Sequence, residues 1–442
     1  MEYCYLNTGQ SIRIEGPALV KVLEGKVYAV GITYSINDKF TILRARKVVI
    51  KALEDTKLQV TLGQGGKIEK VMEGEEVIDI WEREILKVKL KNSVITILGA
   101  MDVGKTTLTI TLANKASISG LKVGIIDADL GQNDLGPPAT IDAAILKDDV
   151  LTHLSSLRPV KSLFLKTTSV EKVWRDVVDS VHKLTKYLMN VENVDTVVIN
   201  TDGWVSTKEA VKYKYSLIEK LNPNYIIIIK REDEVDNLVS SLNEKFSDRL
   251  LILPAPQATR TRTREDRKIH REMGYGRYLM PTRELSINLE KIPIINIPIC
   301  SGVQLSDELK RLISKFVSKF VKSSIKYAEQ ISESVIVISD VKEGQIINMP
   351  GGGEVIILPL NWERGLLVGL EDENNYLLAL GCLRKIYYHQ RKAVITISRN
   401  FEETVKIHHI RLGMIRLNEN FEEEEKVNYL LKVEKVLSKH TH

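Results

Sequence analysis

The sequence predicts an α/β chain: a parallel, doubly wound sheet in the middle, with a β-rich sandwich before it and a β-rich domain after it. Three observations predict this. The apolar runs VITIL (94–98), VGIID (123–127), VVIN (197–200), YIIII (225–229) and LLILP (250–254) are separated by helical patterns, and strands that alternate with helices build βαβ units. A glycine-rich turn follows the first run, and a helical stretch follows the turn. On either side of this region short strand-like runs with turn punctuation replace the helical period.

In chain order, residues 1–90 carry SIRIEG, ALVKVLEG, VYAVGITYSI, FTILRARKVVIKAL and TKLQVTLG, broken by Glu-Gly, Asn-Asp and Gly-rich turns. Regular strand and turn spacing predicts a small antiparallel sandwich. Residues 91–325 form the middle domain. Continuous apolar runs there suit strands buried on both faces, and KVWRDVVDSVHKLTKYLM, KEAVKYKYSLIEKL and DEVDNLVSSLNEKF read as the intervening helices. Residues 326–442 return to β texture, from SVIVISD to VKIHHIRLGMIRL, and EEEEKVNYLLKVEKVL reads as a charged, solvated terminal helix.

The chain has 442 residues, enough for two or three domains, and a net charge of 63 − 58 = +5. A mildly basic balance permits a nucleic-acid partner without requiring one. Cys4, Cys300 and Cys382 lie far apart with no metal-ligand spacing, which fits a reducing compartment. No run of eighteen apolar residues occurs and the start lacks a signal-peptide layout, so a cytoplasmic protein with no membrane role is expected.

The strongest motif is Gly99-Ala100-Met101-Asp102-Val103-Gly104-Lys105-Thr106-Thr107, which fits G-x-x-x-x-G-K-[ST] between an apolar strand and a helix. Its backbone N–H groups and the helix N-terminus can cradle phosphates. Lys105 is placed to reach the β- and γ-phosphates of a nucleotide, and the Thr106 hydroxyl to ligate Mg²⁺. Asp127 and Asp129 follow at the end of the second apolar run. Spacing of two puts them on one side of a strand, where one can hold Mg²⁺ and the other accept a proton.

The stretch ATRTRTREDRKIHREMGYGR (258–277) concentrates arginine after the fifth run. Arg264, Arg267 and Arg271 are spaced i, i+3, i+7 and would share one helical face. Such a row suits a lid over a transferring phosphoryl group; a face that only holds nucleic-acid backbone would also require arginine. Water or a substrate hydroxyl could be the acceptor, so NTPase and kinase chemistry both stay open on the residues alone.

With these motifs in view, the chain resembles the polynucleotide 5′-hydroxyl kinases that include the RNA kinase subunit of the eukaryotic pre-mRNA cleavage complex and its archaeal relatives. GAMDVGKTT, DADLGQ (127–132), the Thr201-Asp202-Gly203-Trp204 "clasp" and the arginine stretch ending in Gly-Tyr-Gly carry the resemblance. It implies a P-loop kinase core that uses ATP and Mg²⁺ to phosphorylate the 5′-hydroxyl end of RNA, and of DNA as a further acceptor. Asp129 would be the acceptor-side acid, supported by Gln132. Thr201, Gly203 and Trp204 would form the acceptor clasp, with Trp204 stacking on the terminal base. Arg260, Arg262, Arg264, Arg267 and Arg271 are the candidates for the lid positions. The family has Pro-Gly-Thr where this chain has Pro138-Ala139-Thr140. Some relatives keep the ATP site yet serve as structural subunits of RNA-processing assemblies, which leaves a nucleotide-binding scaffold as the alternative, beside a nucleic-acid-stimulated ATPase.

Overall fold

In the computed structural model, which describes residues 1–44, 46–72, 74–147, 149–257, 263–402 and 404–438, the chain begins with two antiparallel sheets of four and five strands. Alternation builds them. In Ala18–Glu24, Ala18, Val20 and Val22 are buried while Leu19, between the first two, is exposed. The inward side chains of both sheets, among them Ile14, Val27, Ile50 and Leu58, share one core. Helix α1 (Ile78–Ile85) then buries Trp81 and Ile85, one turn apart, and its flank contributes Val77 and Val88 to the next core. That core therefore starts at Val77, ahead of the sequence boundary at 90.

The central sheet has seven strands in the order Lys161–Phe164, Thr140–Leu146, Val123–Ala128, Thr196–Thr201, Ser93–Gly99, Tyr225–Lys230 and Leu250–Pro254. From Val123–Ala128 to Leu250–Pro254 every neighbour is parallel. Helices α2 (Lys105–Ile118), α3 (Val170–Asn190), α4 (Lys208–Leu221) and α5 (Asp236–Phe246) accompany the sheet. One expectation needs correction: the sheet is mixed. Thr140–Leu146 runs antiparallel to Val123–Ala128, with Asp142 opposite Asp127. The reason is the connection. Residues 129–139 contain no helix, and a parallel neighbour needs a longer crossover.

Two compact units are evident, residues 1–162 with 169–267, and residues 163–168 with 268–442. The second holds a six-stranded sheet that starts with Thr282–Asn288 paired to Lys392–Ser398, and a five-stranded sheet containing Ile325–Ile331 and Ser334–Ser339. The unit boundary thus precedes the sequence boundary at 325, because Thr282–Asn288 finds its partner about a hundred residues downstream. Helix α6 (Arg264–Leu279) spans residues of both units, and α7 (Asp307–Val317) and α8 (Tyr429–Ser438) complete the helices used here. The terminal stretch read as one helix is a strand, Glu423–Lys426, followed by α8. The strand pairs with His409–Leu417 and its Glu425 takes Arg416 at 2.7 Å, which overrides the helical propensity of a glutamate run. Among the described residues no helix is long and apolar enough to cross a membrane.

Candidate active site

The phosphate-loop turn is shaped by backbone that only certain residues tolerate. Gly104, at the N-terminus of α2, has φ 102°, and a Cβ there would lie 3.0 Å from the Trp81 ring. Glycine is therefore required twice over, by conformation and by space. Asp102 has φ 58° and is held from two sides. Its carboxylate accepts Arg267 Nη2 at 3.0 Å, and its backbone carbonyl accepts Arg231 Nη2 at 3.0 Å. Lys105 is buried, and its ammonium donates to the Ala100 carbonyl at 2.6 Å. Burial pulls this ammonium down to about 8, and Asp129 opposes that shift.

Sheet register delivers the acids. Asp127 lies opposite Asn200, and Asn200 lies opposite Ile97 on the strand that enters the loop. Asp127 is fully buried; it accepts Asn200 Nδ2 at 3.0 Å and the Asp134 N–H at 2.9 Å. Burial, then the neighbouring Asp134, pushes its carboxyl up to about 8. Asp129 accepts the Gly131 and Gln132 N–H groups on Oδ1 at 3.1 and 3.0 Å. Burial and Asp202 raise its pKa above the usual carboxylate range, against the pull of Lys105. Asn200 Nδ2 also lies 3.4 Å from the Thr106 hydroxyl, while Asn200 Oδ1 is buried without a hydrogen-bond partner among the described residues. The Thr106 hydroxyl and the Asp127 carboxylate, bridged by Asn200 Nδ2, are hard oxygens of the kind that Mg²⁺ takes. The residues present fit that ion.

The clasp is stitched to the phosphate loop. A Cβ on Gly203 would come within 2.7 Å of the Met101 backbone nitrogen and 2.4 Å of its side chain, so only glycine lets the two segments touch. Trp204 is half-buried, its N–H donates to Asp202 Oδ1 at 2.9 Å, and its ring stacks on Tyr213. Thr201 is fully buried and donates its hydroxyl to the Ile97 carbonyl at 2.8 Å, which fixes the strand that carries the clasp. Gln132 Nε2 donates to the Arg267 carbonyl at 3.2 Å and so steadies the start of α6.

Arg264, Arg267 and Arg271 are held differently. Arg267 reaches the loop through Asp102. Arg271 forms a bidentate pair with Glu423 at 2.7 Å on both nitrogens, joined by the Tyr275 hydroxyl. Arg264 is exposed at the first turn of α6. Arg260 and Arg262 lie outside the described residues. At Ala139, where the resembled family has glycine, φ is 67°: the glycine backbone shape persists under an alanine, with its N–H donating to the Leu130 carbonyl.

Sequence reasoning missed several residues. Arg231 anchors the loop tip, Asn200 links Thr106 to Asp127, and a fully buried Lys214 pairs with Asp202. A cleft also adjoins Thr106 and Thr107. Val30, Ile42 and Val48 form its apolar wall, with Arg46, Asp134 and His153 as polar groups. It is assembled from five separate segments, and no local pattern announces it. Lys214 did leave a signal: it occupies the buried stripe Ala210, Tyr213, Lys214, Leu217, Ile218 of α4, where apolar residues are the rule.

Residues 99–280 match the family model described as mRNA cleavage and polyadenylation factor CLP1 P-loop. The chain is 28% identical over 304 residues to the polyribonucleotide 5′-hydroxyl-kinase of Pyrococcus abyssi, covering 68% of this chain and 82% of that protein. It is 28% identical over 314 residues to the one of Pyrococcus furiosus, covering 70% and 84%. A solved structure of Clp1p with Pcf11p has the same fold at a TM-score of 0.61 and 11% identity, covering 94% of this chain and 98% of that one. The likeness noted in the motifs is thus found over most of the sequence: the chain is similar to the archaeal polyribonucleotide 5′-hydroxyl-kinases, and its residues 99–280 to the CLP1-type P-loop.

Proposed function

We infer that the chain is an ATP-dependent polynucleotide 5′-hydroxyl kinase that transfers the γ-phosphoryl group of ATP to the 5′-hydroxyl end of RNA. The observation that carries this reading is the close approach of Gly203, the residue before Trp204, to Met101 of the phosphate loop, which supports an acceptor-side clasp beside the phosphate site. A hydrolase that used water would need no such acceptor-side clasp.

In this mechanism the loop N–H groups and Lys105 hold the triphosphate, Lys105 exchanging its bond to the Ala100 carbonyl for phosphate oxygens. The Asp129 carboxylate takes the proton of the 5′-hydroxyl as that oxygen attacks the γ-phosphorus. The bond from the γ-phosphorus to the bridging oxygen breaks and ADP leaves. Arg267, already at the loop, is the lid residue best placed to meet charge on the transferring group. Thr106, Asp127 and Asp129 are the residues that would hold Mg²⁺, which would supply charge neutralisation on the phosphate oxygens. The cleft by Thr107 suits the nucleoside part, since it opens beside the start of α2. Trp204 receives the terminal base of the acceptor strand.

The test is transfer itself. With labelled ATP, Mg²⁺ and a 5′-hydroxyl RNA oligonucleotide, label is expected on the RNA end. Release of free phosphate without labelled RNA would instead indicate an ATPase, and ATP binding with neither product would indicate a scaffold. Matched RNA and DNA acceptors in the same assay rank the two substrates.

A pH dependence follows from Lys105. Free, it titrates near 8, and bound phosphate favours its charged form. Above that pH, binding must take up a proton, so the affinity for metal-free ATP is expected to fall about tenfold per pH unit. Below it, this lysine contributes no slope. Calorimetric titrations from pH 7 to 9.5 check this, with Lys105→Arg as the flat control; leaving out metal keeps Asp127, which also titrates near 8, from contributing through a bound ion.

A further inference from the structure

Beneath the clasp lies a buried charge for which the phosphate chemistry has no use. Lys214 is fully buried; its ammonium sits 2.7 Å from Asp202 Oδ2 and 3.1 Å from the Asp202 carbonyl. Stripping an ammonium of water is costly, and an apolar pair of the same volume often makes a fold more stable. Stability is therefore a poor reason to keep it.

Its bonds converge on one place. Asp202 Oδ2 accepts the Tyr213 hydroxyl at 2.8 Å as well as Lys214, and Asp202 Oδ1 accepts the Trp204 N–H at 2.9 Å. The Trp204 ring lies on the Tyr213 ring, with centroids 6.0 Å apart and planes 25° from parallel. The Lys214 ammonium stands 4.5 Å from the centre of the same Tyr213 ring. One carboxylate and two neighbouring residues of α4 therefore fix both the backbone and the ring of Trp204.

We propose that Asp202, Tyr213 and Lys214 are positioning residues for the acceptor: as a buried triad they hold the Trp204 indole at the angle at which the terminal base of the strand stacks on it. This rests on the kinase reading above and adds to it a set of residues that touch neither ATP nor acceptor. Lys214 also interacts with Asp129, and Lys105 with both Asp129 and Asp202, so two positive and two negative groups balance there. Neutralising Lys214 alone would upset that balance around Asp129, so the pair must be neutralised together.

The experiment compares two 5′-hydroxyl RNA acceptors that differ only in the terminal base, one intact and one abasic. The enzymes are the parent, Tyr213→Phe and the double variant Asp202→Asn/Lys214→Met. The parent is expected to prefer the intact acceptor by about 5- to 150-fold in KM, the value of one base stacked on an aromatic ring. Tyr213→Phe is expected to raise KM for the intact acceptor about three- to tenfold, the loss of one net hydrogen bond. The double variant is expected to raise it further. KM for ATP and KM for the abasic acceptor should not move with either variant.

Equal losses on both acceptors, or no change with Tyr213→Phe, would overturn the proposal, since a purely structural triad cannot discriminate between the two strands. A parent with equal KM on both acceptors overturns it too, because Trp204 would then hold no base. A parent that labels neither acceptor overturns the kinase reading itself, an outcome visible before any variant is made.

Discussion

Lys105→Ala is expected to lower the rate of phosphoryl transfer by roughly 10²–10³-fold, the cost of removing one preorganised donor from developing charge. The structure gives the reason for a loss at the large end. The ammonium is buried, so its charge acts through poorly screened surroundings, and burial holds it at about 8, close enough to neutrality that phosphate binding completes its protonation. Truncation also removes the bond to the Ala100 carbonyl. ATP affinity should therefore weaken together with turnover. Lys105→Arg is expected to restore charge without restoring rate, because a planar fork cannot occupy the space of a compact ammonium. Initial rates and ATP titrations on the two variants check this; a Lys105→Ala enzyme with parental turnover would remove this lysine from the mechanism.

Asp129→Asn is expected to cost about 10²–10⁴-fold in kcat, the range for a positioned proton acceptor. The substitution is chosen because it keeps the local shape. The asparagine oxygen can still accept the Gly131 and Gln132 N–H groups that now bond to Oδ1, so the turn after the strand is retained. What disappears is the capacity to take a proton and one negative charge beside Lys105. A loss in kcat with an intact melting profile would separate chemistry from folding. A variant that keeps parental kcat would assign the proton to another group.

Much of the core was legible because its signals are local. VITIL, VGIID, VVIN, YIIII and LLILP are all strands of the central sheet; a strand buried on both faces needs an unbroken apolar run, although LLILP, at the sheet edge, leaves Ile252 exposed. The phosphate loop is contained in nine consecutive residues. What the sequence hid is pairing at a distance. IDAAIL is as apolar as its neighbours, and only the helix-free connection before it reveals that it runs antiparallel. The same holds for Arg231 at the loop tip and for Arg46 on Asp134, each of which meets its partner far along the chain. The lid shows the limit of spacing arguments: i, i+3, i+7 puts three arginines on one face, yet Glu423 takes Arg271 while Asp102 takes Arg267. Periodicity sets direction, and the partner decides which direction is used.

The indole of Trp81 abuts Gly104 from behind and is locked by its N–H bond to the Pro254 carbonyl at 2.9 Å. The nucleotide cradle thus has a floor that its own motif does not encode. A fragment trimmed to start at residue 91 would keep every phosphate-binding letter and lose the slab that shapes them, so the smallest self-sufficient catalytic piece must reach back beyond Val77.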